Sequence, residues 1–193
     1  SRVAVLGAGS WGTTVAALLA PVVSTVLWAR RTELADDLNA GRGNERYLPG
    51  FDLPTDLEAT ADLGEATFDA DLVLVAVPTR GFRAVLEGSS ATLGAAVPVV
   101  SLSKGFERGS CLRMTEVVSE VLPGRPVAVL TGPNLAREVL EGRSSAAVVA
   151  ATDPAVPGVL QGLLASDRLR IYTNPDLVGC EIGGAVKNVI ALA

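Results

Sequence analysis

The stretch Arg2–Gly12, RVAVLGAGSWG, decides the fold. A short apolar run leads straight into Gly7-Ala8-Gly9-Ser10-Trp11-Gly12, a G-x-G-x-x-G. Each glycine meets a separate physical demand. Gly7 permits a tight turn off a strand, Gly9 lets a pyrophosphate approach the backbone, and Gly12 lets the next helix pack closely on that strand. The N-terminus of that helix then offers free N–H groups and a partial positive charge to phosphates. A lone glycine signature is weak, because glycine-rich turns are common. Its context strengthens it here: an apolar run precedes it, and an apolar helical pattern, Thr13–Leu19, follows it. The stretch reads as a dinucleotide-binding turn, with a purely structural turn as the competing reading.

Downstream, strand-like runs alternate with helical ones. Strands are predicted at Val3–Leu6, Thr25–Trp28, Leu72–Val77, Val97–Leu102, Val127–Leu130, Ala146–Ala150 and Leu169–Tyr172. Several are apolar throughout, the pattern of strands buried on both faces of a parallel sheet. Helices are predicted between them at Thr13–Leu19, Glu33–Asn39, Gly81–Leu86, Cys111–Val121, Asn134–Leu140 and Ala155–Leu164. This alternation predicts an α/β fold, a Rossmann-type doubly wound and mostly parallel sheet. Such sheets bind ligands beyond the carboxyl ends of their strands. Polar motifs cluster at those ends: Pro78-Thr79, Ser103-Lys104-Gly105 and Thr131-Gly132-Pro133-Asn134. The longest irregular piece, Arg42–Asp56, is placed to cover the cofactor edge.

Composition narrows the function. Of 193 residues, 49% are hydrophobic and 19% charged, a globular rather than disordered balance. A net charge of −5 and the lack of a Lys/Arg cluster argue against a nucleic-acid surface. Histidine is absent and there are only two cysteines, so no metal site is expected. Cys111 and Cys180 form no C-x-x-C, fit a reducing cytoplasm, and read as ordinary small apolar residues. Without histidine, proton chemistry falls to lysine, a carboxylate, tyrosine or water. No apolar run is long enough for a membrane span, and no signal peptide precedes the first strand. Both ends read as trimmed, the C-terminal one within an apolar helical pattern, so the chain is expected to be part of a longer protein.

Four positions carry further chemistry. At the end of the second strand the usual ribose-binding acid is missing, and Arg30-Arg31 stand there instead. Guanidinium groups match a phosphate with bidentate geometry, so the pair points to NADPH over or alongside NADH. A solvated basic turn is the plainer alternative. Lys104, directly after a buried strand, is expected to enter the cleft above the sheet. Asn134 reads as a helix N-cap, as a substrate ligand, or as both. In Glu181–Ile190, EIGGAVKNVI, an apolar helical face carries Gly183 and Gly184 beside Lys187. Two glycines cost a helix about 1 kcal/mol each relative to alanine, which implies a close approach to that face. Lys187 and Asn188 would project beside the space, and a partly buried lysine can donate or accept a proton.

The order and spacing of GAGSWGT, LWARR, NERYLPG, VAVPT, SKGFE, TGPNLAREV, YTNPDLVG and EIGGAVKNVIALA resemble the N-terminal domain of the bacterial NAD(P)H-dependent glycerol-3-phosphate dehydrogenases. The resemblance covers essentially the whole chain. It implies reversible hydride transfer between NADP or NAD cofactors and dihydroxyacetone phosphate, feeding glycerophospholipid synthesis. It implies Lys187 as the catalytic acid/base, with Lys104 near nicotinamide and substrate. It implies cofactor contacts at Gly7, Gly9, Ser10, Trp11, Gly12, Arg30, Arg31, Tyr47, Lys104 and Ala136. Substrate contacts would come from Lys104, Gly132, Asn134, Lys187 and Asn188. The division is expected at residues 1–175, an NAD(P)-binding domain, and 176–193, the start of a helix leading into a C-terminal substrate domain. That helical domain, absent from this chain, would also form a homodimer. The Leu19–Thr25 link is shorter than the family's usual glycine-containing turn. A 2- or 3-hydroxyacid or ketopantoate-type reductase shares the same half, and a non-enzymatic dinucleotide sensor is the other alternative.

Overall fold

The computed structural model describes residues 1–192, apart from the side chains of Asn188 and Ala191. Strands β1 (Arg2–Leu6), β2 (Ser24–Trp28), β3 (Leu57–Thr60), β4 (Leu72–Val75), β5 (Val99–Ser101), β6 (Val127–Thr131), β7 (Ser145–Ala151) and β8 (Leu169–Thr173) form one sheet. Its order is β3-β2-β1-β4-β5-β6-β7-β8. The predicted doubly wound sheet is therefore present. One reversal breaks the parallel run: β7 lies antiparallel to β6, and β8 is parallel to β7.

Alternate residues of each strand feed two cores. Val3, Val5, Leu27, Leu74 and Leu130 face one side, under α1 (Ser10–Leu19), α2 (Thr32–Asn39) and α7 (Ala155–Leu164). Ala4, Leu6, Val26, Val73 and Val75 face the other, under α3 (Leu63–Thr67), α4 (Thr79–Ser89) and α5 (Met114–Val121). Because helices cover both faces, the central strands lose the polar alternation of a half-solvated sheet. Two further helices complete the order, the short α6 (Ala136–Leu140) and the long terminal α8 (Leu177–Leu192).

Several predicted boundaries move for identifiable reasons. The first helix begins at Ser10, inside the glycine signature. The fifth begins at Met114, because Cys111 has φ 60° and is exposed, so it belongs to a turn and not to a helix or a core. The predicted strands Leu72–Val77 and Val97–Leu102 shrink to Leu72–Val75 and Val99–Ser101. The pair β3 and α3 escapes the sequence reading. As an edge strand β3 carries the exposed Glu58, and the five-residue α3 is nucleated by Asp62, which accepts from Glu65 N at 2.9 Å. The Leu19–Thr25 link closes without a glycine: Val22 N and Val23 N both donate to Leu19 O.

Candidate functional site

Chain connections leave β1 toward β2 on one side, while β4 pairs on the other. Loops splay apart at such a reversal and open a crevice beyond the strand ends. A cavity of about 500 Å³ lies there, lined among others by Gly7, Gly9, Arg30, Arg31, Tyr47 and Arg80. The three glycines differ in what surrounds them. Gly7 turns with φ 119°, and a Cβ there would stand 2.8 Å from Ala76 O. A Cβ on Gly12 would run into the Gly7 carbonyl oxygen, so α1 can pack against the turn only without one. At Gly9 nothing lies within 4 Å of a Cβ position, leaving that backbone open to approach. The first turn of α1 has no side-chain cap and no acidic residue. Its N–H groups are thus available to an anion.

The irregular stretch is pinned to this turn by Asn44. Its buried Nδ2 donates to Ala8 O at 3.1 Å and to Thr13 Oγ1 at 2.8 Å. Those two bonds hold the stretch from which Tyr47 reaches the cavity edge. On the same stretch the Arg137 guanidinium stacks 5.0 Å from the Phe51 ring centre.

Lys104 leaves β5 in a turn held by Ser103, whose hydroxyl donates to Val77 O at 2.5 Å, and by Gly105 at φ 129°. The Lys104 ammonium sits 5.9 Å from the centre of the Trp11 ring, in cation–π range. Burial, and then the neighbouring Lys187 ammonium, push its pKa below that of an ordinary lysine. Two lysines distant in sequence therefore share one electrostatic environment. Lys187 is half-buried on α8.

Asn134 is not the predicted N-cap. Leu135 holds that position, and the buried Asn134 Nδ2 has no partner among the described residues. Thr131 Oγ1 and Trp11 Nε1 are buried and unpartnered in the same sense. Such groups are costly unless something completes them, and these three bracket the carboxyl ends of β1 and β6. Gly132 is required by the strand beside it, since a Cβ would stand 2.8 Å from Ala146 O. The close approach expected at the paired glycines is real but internal. A Cβ on Gly184 would strike Thr131 Oγ1, whereas nothing lies within 4 Å at Gly183.

The glycine turn, Arg30, Arg31 and Tyr47 thus line one cavity, and Trp11 pairs with Lys104, whose pKa burial and then the Lys187 charge lower. Ser10 opens α1, and Ala136 opens α6 outside the lining of that cavity. The Asn188 side chain lies outside the described residues. Three contributors were missed. Arg80 follows the quoted Pro78-Thr79 and lines the cavity. Asn44 opens the quoted NERYLPG motif, but its tie to the glycine turn was not legible there. Glu181 is 3% exposed, and its signal was available: it is the lone acid in the apolar run of α8.

A family model described as NAD-dependent glycerol-3-phosphate dehydrogenase N-terminus matches residues 2–156. The chain belongs to this family. A curated glycerol-3-phosphate dehydrogenase [NAD(P)+] from Sphingopyxis alaskensis is 49% identical over 192 residues. The match covers 100% of this chain and 58% of that relative, so the chain spans little more than half its length. The crystal structure of a glycerol-3-phosphate dehydrogenase from Coxiella burnetii superposes with a TM-score of 0.93 at 34% identity, covering 99% of this chain and 59% of that one. A ketopantoate reductase from Ralstonia eutropha shares the fold alone, at 22% identity and a TM-score of 0.71, over 94% of this chain and 59% of its own. The glycerol-3-phosphate dehydrogenase family is thus favoured over the reductase alternative.

Proposed function

We propose that the protein to which this chain belongs interconverts dihydroxyacetone phosphate and sn-glycerol 3-phosphate with NADPH or NADH. The observation that carries the reading is the Lys104 ammonium 5.9 Å from the Trp11 ring centre, beside the unpartnered Trp11 and Asn134 donors. The residues present fit a dinucleotide: an open Gly9 backbone, an uncapped α1 N-terminus, and Arg30, Arg31, Tyr47 and Arg80 around one cavity.

A nicotinamide cofactor, when bound, supplies or accepts the hydride at C2 of the substrate. The other tasks fall to the chain. Lys187 passes a proton to the oxygen on C2 in the reductive direction and takes it back in the other. Lys104 holds and polarises that oxygen, with its charge fixed before the reaction rather than reoriented during it. Asn134 Nδ2 and Gly132 flank the substrate, and Asn188 is assigned beside it from the motif. Arg30 and Arg31 favour a ribose 2′-phosphate. Residues 1–175 form the cofactor domain, and residues 176–193 begin the helix that leads into a substrate domain. Supply of glycerophospholipid precursors in the cytoplasm, and a homodimer formed through that further domain, complete the reading.

The test is oxidation of NADPH and of NADH by the full-length protein with dihydroxyacetone phosphate, beside a panel of keto acids. Oxidation with dihydroxyacetone phosphate alone is expected. Oxidation with a keto acid in its place, or with no substrate offered, would end the proposal.

A further inference from the structure

Glu181 is buried on α8, and its hydrogen bonds run to Arg113 and Thr115 rather than to the lysines of the site. Its Oε1 accepts from Thr115 N at 2.9 Å. Its Oε2 accepts from Thr115 Oγ1 at 2.6 Å and from Arg113 Nη1 at 3.0 Å. Arg113 and Thr115 are the N-cap and second residue of α5, so a carboxylate from another element occupies that helix N-terminus.

Arg113 is also the base of the loop that carries Lys104. It pairs with Phe106 in an antiparallel bridge, and Glu107 N donates to Leu112 O at 2.8 Å. On its far side the loop is held by Arg83 of α4, whose guanidinium meets Glu107 at 2.8 and 2.9 Å. Hydrogen bonds from Arg83, and then Ser110, hold the Glu107 carboxyl at about 2. Lys187 lies further along the same helix as Glu181. The two lysines therefore ride on a loop and a helix that Glu181 ties together.

Two ammonium groups that share a site repel each other, and that force drives the loop and α8 apart. Paired buried charges add little net stability over apolar residues of similar shape, and in some proteins their role is instead to fix register. We infer that Glu181 is a positioning residue: by anchoring α8 to Arg113 and Thr115, it sets the spacing between Lys104 and Lys187. The inference rests on the roles proposed above for the two lysines, but its main readout needs no substrate.

That readout is Trp11 fluorescence in the full-length protein with every other tryptophan replaced by phenylalanine. The charge on Lys104, beside the ring, makes the emission follow its titration, and Lys104→Met in the same background identifies the step by removing it. From α8, Lys187 is the charged group acting on Lys104, and Trp11 faces it from α1. In Glu181→Gln the step is expected to move to higher pH as Lys187 withdraws. Thr115→Val, which removes the hydroxyl's bonds to Glu181 and Arg113 but no charge, should move it the same way by less. In parallel, turnover should fall about tenfold or more while the cofactor KM stays within about twofold. An unmoved titration in folded variants overturns the inference, and so does collapse of the fold in both, which would make Glu181 a stability residue only. A moved titration in a protein inactive on dihydroxyacetone phosphate would uphold the positioning role and defeat the substrate reading instead.

Discussion

Lys104 and Trp11 form a close pair, the ammonium 5.9 Å from the ring centre, one after β5 and the other in the first turn of α1. The pair places a cation beside the indole that follows the glycine turn. The pKa of Lys104 is depressed in the folded state, chiefly by burial. The unfolded chain then binds more protons than the native one in the interval between the lowered value and the ordinary 10.5. Folding stability arising from this lysine must rise with pH across that interval. At neutral pH its charge is a burden on the fold. Replacement by methionine is expected to raise the melting temperature of the full-length protein at pH 7 by roughly a degree or two, with the gain shrinking toward pH 10.5. Melting curves of both proteins over that range check the sign.

Lys187→Ala tests the proposed proton transfer. Turnover with dihydroxyacetone phosphate should drop by about two to four orders of magnitude, the usual worth of a positioned acid/base group. The Kd for NADPH should change by less than about twofold, since the residue serves the substrate end. Steady-state kinetics and a fluorescence titration separate the two effects.

The adjacent glycines of α8 should respond in opposite directions. Gly183 has open space where a Cβ would sit, so Gly183→Ala gains helix propensity, about 0.5–1 kcal/mol. At Gly184 the new methyl group meets Thr131 Oγ1, and Gly184→Ala should cost about 1–3 kcal/mol through overpacking. Urea unfolding of the two variants gives the comparison directly. Equal effects would show that the Thr131 contact sets no limit on the helix.

The double substitution of Arg30 and Arg31 by alanine should raise the Kd for NADPH about 10- to 100-fold, as charge-assisted bonds to a phosphate are lost. The Kd for NADH should move by only a few fold. Parallel titrations with the two cofactors give the ratio, and an equal loss for both would remove the arginines from 2′-phosphate recognition.

Much of the fold was readable along the chain. The runs at Val3–Leu6 and Leu72–Val75 are apolar throughout because helices cover both faces of the sheet. The turn glycines were legible because their demands are local. Two other features were opaque for the opposite reason. Leu57–Thr60 is a four-residue edge strand buried on one face only, so its pattern is too short and mixed to register. The run Ser145–Ala151 is equally apolar in either direction, so its antiparallel pairing with β6 left no mark in the sequence. At the site, Asn134 looked like a helix cap by residue type, but Leu135 takes the cap position of α6 and leaves the Asn134 amide free.

The sequence by itself determined the alternating elements, the glycine turn and the chemistry available, because hydrophobic periodicity and the absence of a Cβ act over a few neighbouring residues. Only the tertiary structure decided which groups meet. Lys104 and Lys187, Gly184 and Thr131, and Glu181 with Arg113 and Thr115 are distant in sequence. Their separations depend on how crossovers stack strands and on where each helix comes to rest, and no local pattern records that geometry.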